Sequence, residues 1–237
     1  MSDTAKLSLP LLAPSQAQKH VTVNDALVRL DGAVQMTAVS RSVATPPGTV
    51  ADGAVYLVPT GAVNAWAGQE GRVALGQNGG WVFLDPRAGW RVWVDDEAEA
   101  LLHDGTGWVL ALAVSPGGAG FALRVHEFDH VLAAGASSTT TAEIPANVVV
   151  FGVSGRVLSD IGGTMPTWRL GVAGSDNRYG SGLGLLAGSF ARGLTGSPLT
   201  YYSTTELVLT AEGGSFDGSG SVRLAIHLAQ IGLPRLV

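Results

Sequence analysis

Hydrophobic positions follow two different periods along this chain. Near the N-terminus, Val23, Leu27, Leu30 and Val34 recur at spacings of four, three and four, which marks one face of a helix. The pattern predicts a helix over residues 15–39, with Ser15 placed to cap it and Asp25 and Arg29 four apart on an exposed side. Two readings of the apolar face stand: a helix packed on its own sheet, or a short coiled coil between subunits. In the second, Val23, Leu27, Leu30 and Val34 are the oligomer contacts. Pro46-Pro47-Gly48 closes this segment.

From Ala54 the period becomes that of strands. The runs "AVYLV", "RVALGQ", "WVFL", "WRVWV", "EALLH" and "WVLALAV" are separated by "NGG", "DPRAG" and "DGTG", all turn sequences. "ALGQNGGWV" (74–82) and "LLHDGTGWV" (101–109) repeat one hairpin design. Trp66, Trp81, Trp90, Trp93 and Trp108 all fall in this stretch, where such rings form a small core or a stacking platform. "SPGGAG" (115–120) reads as a linker. Beyond it, "FALRVHEFDHVLA", "VVVFGVSGRVLSDI", "TWRLGVA", "LTYYS", "TELVLTA" and "SVRLAIHLAQI" form a second series of strands. The predicted architecture is mainly β: a short N-terminal helix, a small Trp-rich antiparallel module and a C-terminal β-sandwich, jelly-roll-like. Residues 1–114 are expected to form the first module, 115–122 a linker and 123–237 the sandwich.

Composition narrows the function. The chain has no cysteine, which removes disulfides and thiolate chemistry. A net charge of −5 without any basic run argues against nucleic-acid binding. No apolar run reaches the ~20 residues of a membrane span. The short apolar stretch near the N-terminus is interrupted by Pro10 and Pro14, so an extended arm is expected, not a signal peptide, with synthesis in the cytoplasm.

One motif points to chemistry. His126-Glu127-Phe128-Asp129-His130 fits the H-E-x-x-H pattern of zinc hydrolases. As a helix, Phe121, Val125, Phe128 and Leu132 would take the apolar face and turn both histidines to solvent. Ala133 also stands where the longer metalloprotease motif needs Gly, and the nearest later carboxylate, Glu143, sits beside Ile144-Pro145. The strand reading needs less, with Arg124, His126, Phe128 and His130 on one side and Val125, Glu127, Asp129 and Val131 on the other. The expectation is therefore a strand, with no metal and no cofactor. "GSDNRYGSGLG" (174–184) reads as a long loop whose Asp176, Asn177, Arg178 and Tyr179 offer the planar polar groups and ring that bind sugar hydroxyls. Tyr201 and Tyr202 join these candidates, although in a strand only one of the pair faces outward.

The segment containing Pro10, Pro14, Gln16-Ala17-Gln18-Lys19-His20, Asn24, Ala26-Leu27 and Leu30-Asp31 resembles the opening of a domain of unknown function associated with prophages and gene transfer agents of alphaproteobacteria. Similarity continues through "DGAVYLVP" and "GGWVFLDPRAGWRVWVDDE", covering most of residues 7–114. More loosely, the C-terminal part is similar to spike fibres of gene transfer agents. The resemblance implies a homotrimeric head spike or tail fibre on the particle surface, released by lysis, and no catalytic residues. Its N-terminal module would hold other particle proteins, and its β domain would bind host capsular polysaccharide. The rival expectations are a polysaccharide depolymerase and a purely structural fibre or baseplate component.

Overall fold

A computed structural model of the chain describes residues 3–13 and 19–236. Ser15, read as the helix cap, lies outside the described residues, as do Pro14 and Gln16-Ala17-Gln18. Two units with separate cores are present: Met1–Gly120 together with Leu233–Val237, and Phe121–Gly232. The chain is mainly β.

In the first unit, α1 covers Lys19–Ala33. The expected extension to residue 39 does not form. Gln35 takes a positive φ of 48°, and the chain then enters β1, Thr37–Ala38. There follow β2 (Val55–Leu57), a 3-10 turn at Asn64–Trp66, β3 (Val73–Gln77), β4 (Gly80–Leu84), β5 (Arg91–Val94), β6 (Glu99–His103), β7 (Trp108–Leu110) and β8 (Ala113–Val114). Strands β2, β3 and β4 make one antiparallel sheet; β1, β5, β6 and β7 make another, in which β1 runs parallel to β5. Asn78-Gly79, both at positive φ, join β3 to β4 as a two-residue hairpin turn. The second copy of the repeat also folds as a hairpin, β6–β7, with a longer turn.

The tryptophans of this unit divide. Trp66 is fully buried and packs edge-on against Trp81 at 5.0 Å between centroids, with Tyr56 at 5.2 Å. Trp90 and Trp108 pack on the other core of the unit, which Val55, Leu75, Val92 and Leu101 fill. Trp93 alone of the five is exposed.

Helix α1 does not bury the face its periodicity marks. Val23, Leu30 and Val34 are exposed and Leu27 is half-buried. The helix is seated through Asp31, Gly32 and Val28. A Cβ on Gly32 would stand 2.7 Å from a Leu75 methyl, so a larger residue there would require the Leu75 side chain to move. Asp31 accepts hydrogen bonds from Thr4 Oγ1 (2.8 Å), Lys6 N (2.9 Å) and Leu7 N (2.6 Å). Asn24 pairs with both backbone groups of Leu12. These two side chains clip the arm to the helix.

The expected linker is a tight turn, closed by Ser115 N donating to Ala119 O, and strand structure resumes at Gly120. The second unit contains β9 (Gly120–Val131), β10 (Ser137–Thr139), β11 (Val148–Ser159), β12 (Thr167–Val172), β13 (Ser175–Leu183), β14 (Phe190–Tyr201), β15 (Val208–Glu212) and β16 (Ser221–Ile231). One antiparallel sheet runs β14-β11-β16-β9 and the other β10-β15-β12-β13. Their inner faces share one core, in which Val150 and Val153 of β11, Leu224 and Ile226 of β16, and Trp168 and Leu170 of β12 meet. This is a β-sandwich. Residues 233–236 are not part of it. They return to the first unit, where Arg235 N donates to Gly117 O and its guanidinium pairs with Asp104.

Candidate functional site

The six residues expected to bind sugar do not form one open surface. "GSDNRYGSGLG" is not a long loop: all but its first and last residues belong to β13. Tyr179 points into the core, and its hydroxyl lies 2.6 Å from that of Tyr201, also buried. Burial and the Tyr201 contact push the Tyr179 hydroxyl well above the usual phenol range. Arg178 donates to the Tyr201 hydroxyl at 3.0 Å. Asp176 pairs with Arg169 at 3.0 Å, and Arg169 in turn pairs with Glu212 at 2.8 Å. Asn177 and Tyr202 are exposed, Tyr202 at 80%. Tyr201, the last residue of β14, is buried and Tyr202, just past the strand end, is exposed, and the rings of Tyr179 and Tyr201 are unavailable to a ligand.

The H-E-x-x-H segment is a strand, part of β9. His126 Nε2 lies 2.7 Å from Glu143 Oε2 and His130 Nε2 lies 2.7 Å from Ser138 Oγ, while Glu127 is exposed. The helical histidine pair required by zinc hydrolases is not formed. Among the described residues, no group of three or more metal-ligating side chains comes together, and no helix is long and apolar enough to cross a membrane.

An open depression of about 440 Å³ lies instead on the outward face of the β14-β11-β16-β9 sheet. Strand pairing builds it in two rows. In the first, Phe190 of β14 is opposite Arg156 of β11, which is opposite Arg223 of β16, which is opposite Asp129 of β9. In the second, Arg192, Ser154, Ala225 and Glu127 stand in the same order. Neighbouring strands are ~4.8 Å apart, so facing side chains in a row are in reach of one another. Small Ser154 and Ala225 leave a floor between long side chains.

The electrostatics are uneven. Arg223 holds Asp129 through two hydrogen bonds, 2.6 and 2.9 Å, with Glu127 at 3.8 Å. This contact keeps the Asp129 carboxyl below its ordinary range. Arg156 donates to the carbonyl of Gly188 at 3.0 Å, and Arg192 lies over the Phe190 ring, 5.7 Å from its centroid. Neither of these two arginines has a carboxylate partner among the described residues. Phe190 is 60% exposed. Beside the depression the same face turns apolar, with Phe151 and Leu194 near His227.

The sequence pattern had one signal for this site. In "FARGL", large residues alternate with Ala191 and Gly193, and here the small ones face inward. A Cβ on Gly193 would stand 2.3 Å from the Tyr179 carbonyl oxygen, so β13 and the inner side of β14 approach too closely for any side chain. The bulky positions are therefore left outside.

Residues 23–109 match the model of a family described as "Protein of unknown function (DUF2793)". The matched stretch lies within the first unit, which is similar to that family from Val23 to Val109. The resemblance drawn from the sequence is borne out over this stretch. Asn24, Asp31 and Gly32, the residues that seat α1 and clip the arm, lie inside the DUF2793 match, as do all three strands of the first sheet. Among solved structures, a chain of the "Cyanophage Pam1 capsid asymmetric unit" is 22% identical, aligned over 52% of this chain and 93% of its own, with a TM-score of 0.32. No curated protein matches the sequence.

Proposed function

We propose that the protein is a surface component of a phage or gene-transfer-agent particle and that its sandwich binds the capsular polysaccharide of the host. The DUF2793 match and the prophage-associated sequence hallmark support the particle assignment. The observation that carries the binding role is the open depression on the sandwich, where a ring, several charged groups and a hydroxyl converge on a small-residue floor. Concave sites with a few convergent polar groups are where ligands are held. The role is one of binding, not of bond cleavage.

The first unit serves as the attachment module. The outward stripe of Val23, Leu30 and Val34, with half-buried Leu27, is the surface it offers to other particle proteins or to further copies of this chain in a trimer. Weak single-site affinity for sugar becomes effective through repeated copies.

The test is binding of labelled full-length protein to capsulated host cells and to an isogenic strain lacking capsule. Binding that requires the capsule is the expected result. Equal binding to both strains, or binding to neither, would overturn the reading. Incubation with purified capsule should release no new reducing ends; their appearance would make the protein a depolymerase.

A further inference from the structure

We infer that the depression selects an acidic saccharide, in which a carboxylate or sulfate ester is held by Arg192 and Arg156 while the sugar ring lies against Phe190. This rests on the glycan-binding reading and adds the chemical class of the ligand.

Three features of the site support it. First, charge is concentrated against the trend of the molecule. The chain carries −5 overall, yet three arginines converge here against Glu127 and Asp129. Asp129 is already committed to Arg223. Arg156 and Arg192 keep planar guanidinium groups without an anionic partner among the described residues, on the side of the depression away from the carboxylates. The guanidinium fork matches two-oxygen anions, so a carboxylate or sulfate would take the place that Asp129 takes on Arg223.

Second, Phe190 is largely exposed on a regular strand. Arg156 is directly opposite it, and Arg192 two residues on stacks over its ring. With Arg192 over one side of the ring, the remaining exposed surface of Phe190 is open to sugar C–H groups, with Arg156 on the neighbouring strand opposite. Third, Ser154 on the floor holds His227 at 2.9 Å, which leaves a hydroxyl and an imidazole fixed next to the Arg192 position for neutral sugar hydroxyls. Glu127 and Asp129 oppose a polyphosphate chain, which would run past them, but tolerate an anion placed at the arginine side alone.

The experiment is calorimetric titration of full-length protein with host capsular polysaccharide in three forms: native, carboxyl-reduced with carbodiimide and borohydride, and solvolytically desulfated. One treatment should weaken binding at least tenfold, and which one does so identifies the anion. Arg192→Ala and Phe190→Ala should each weaken binding of native capsule at least tenfold. Arg87→Ala, an exposed charge loss in the other unit, should not. Arg192 and Phe190 are exposed, and unchanged circular dichroism confirms that the variants fold. If both treated forms bind like native capsule, or Arg192→Ala binds like the parent, the inference fails while capsule binding itself stands. If no form binds and capsulated cells are not bound, the glycan reading fails with it.

Discussion

Asp31 illustrates how a single side chain sets local structure here. It is buried at 2% exposure and takes three hydrogen bonds from the arm. Burial alone would raise its pKa, but the amides of Lys6 and Leu7, the Thr4 hydroxyl and the Lys6 charge together hold the carboxyl below its ordinary range. Asp31→Ala leaves those donors without an acceptor and should cost about 3 kcal/mol, with the arm becoming open to protease. The sign of the pH effect follows. A carboxyl depressed in the folded state stabilises above its unfolded pKa and loses that contribution as pH falls through its folded pKa. The gap in urea midpoint between the parent and Asp31→Ala should therefore shrink from pH 7 toward pH 3; a constant gap would show that the carboxylate is not the anchor. His130 acts in the same direction by another route. Burial lowers its pKa, against an opposing pull from Glu143. Stability present above the ordinary histidine range is lost as pH falls below it, because the unfolded chain takes up the proton first. His130→Gln should flatten the fall in melting temperature of the sandwich between pH 7.5 and 5; an equally steep fall in the variant would place the titration elsewhere.

At the level of elements, helix α1 and strand β14 separate what the sequence makes legible from what it does not. The strands, the hairpins and the two series were readable because period-two patterning and Gly-centred turns are local signals. The destination of a face is not local. Val23, Leu27, Leu30 and Val34 have helical spacing, yet the helix is seated on Asp31 and Gly32, which carry no hydrophobic signal. In β14 the small residues face the core because β13 lies against them, a contact set by tertiary structure. The same distance in sequence hid the rows that bring Phe190, Arg156 and Arg223 together. Glycines in "GSDNRYGSGLG" looked like loop, but irregular register between β12 and β13 accommodates them within a sheet. The exposed helix stripe leads to a specific expectation. Leu30→Glu, alone or with Val23→Glu, should leave the fold of the dissociated subunit intact, with an unchanged far-ultraviolet dichroism spectrum, since these side chains are exposed and not part of its core. It should lower the oligomeric mass seen by light scattering and prevent incorporation into particles. An unchanged mass together with normal incorporation would remove the stripe from the interface.

On the scale of the whole molecule, separate cores predict separable unfolding. Five of the six tryptophans, Trp66, Trp81, Trp90, Trp93 and Trp108, belong to the first unit, and only Trp168 to the second. Tryptophan emission therefore reports chiefly on the first unit, whereas far-ultraviolet circular dichroism is dominated by the strands of both. Leu224 is fully buried at the centre of the sandwich core. Leu224→Ala removes apolar contacts and leaves a cavity, a change worth about 2–5 kcal/mol. That loss should move the dichroism transition of the sandwich to lower temperature by several degrees while the midpoint followed by tryptophan emission stays in place. Leu75→Ala, at the seat of α1, should do the reverse. If either substitution shifts both midpoints equally, the two units unfold as one cooperative body, and binding at the sandwich is then energetically tied to the attachment module. If they shift independently, attachment and recognition are two stabilities on one chain, and losses in cell binding by sandwich variants can be assigned to the site without concern for the anchor.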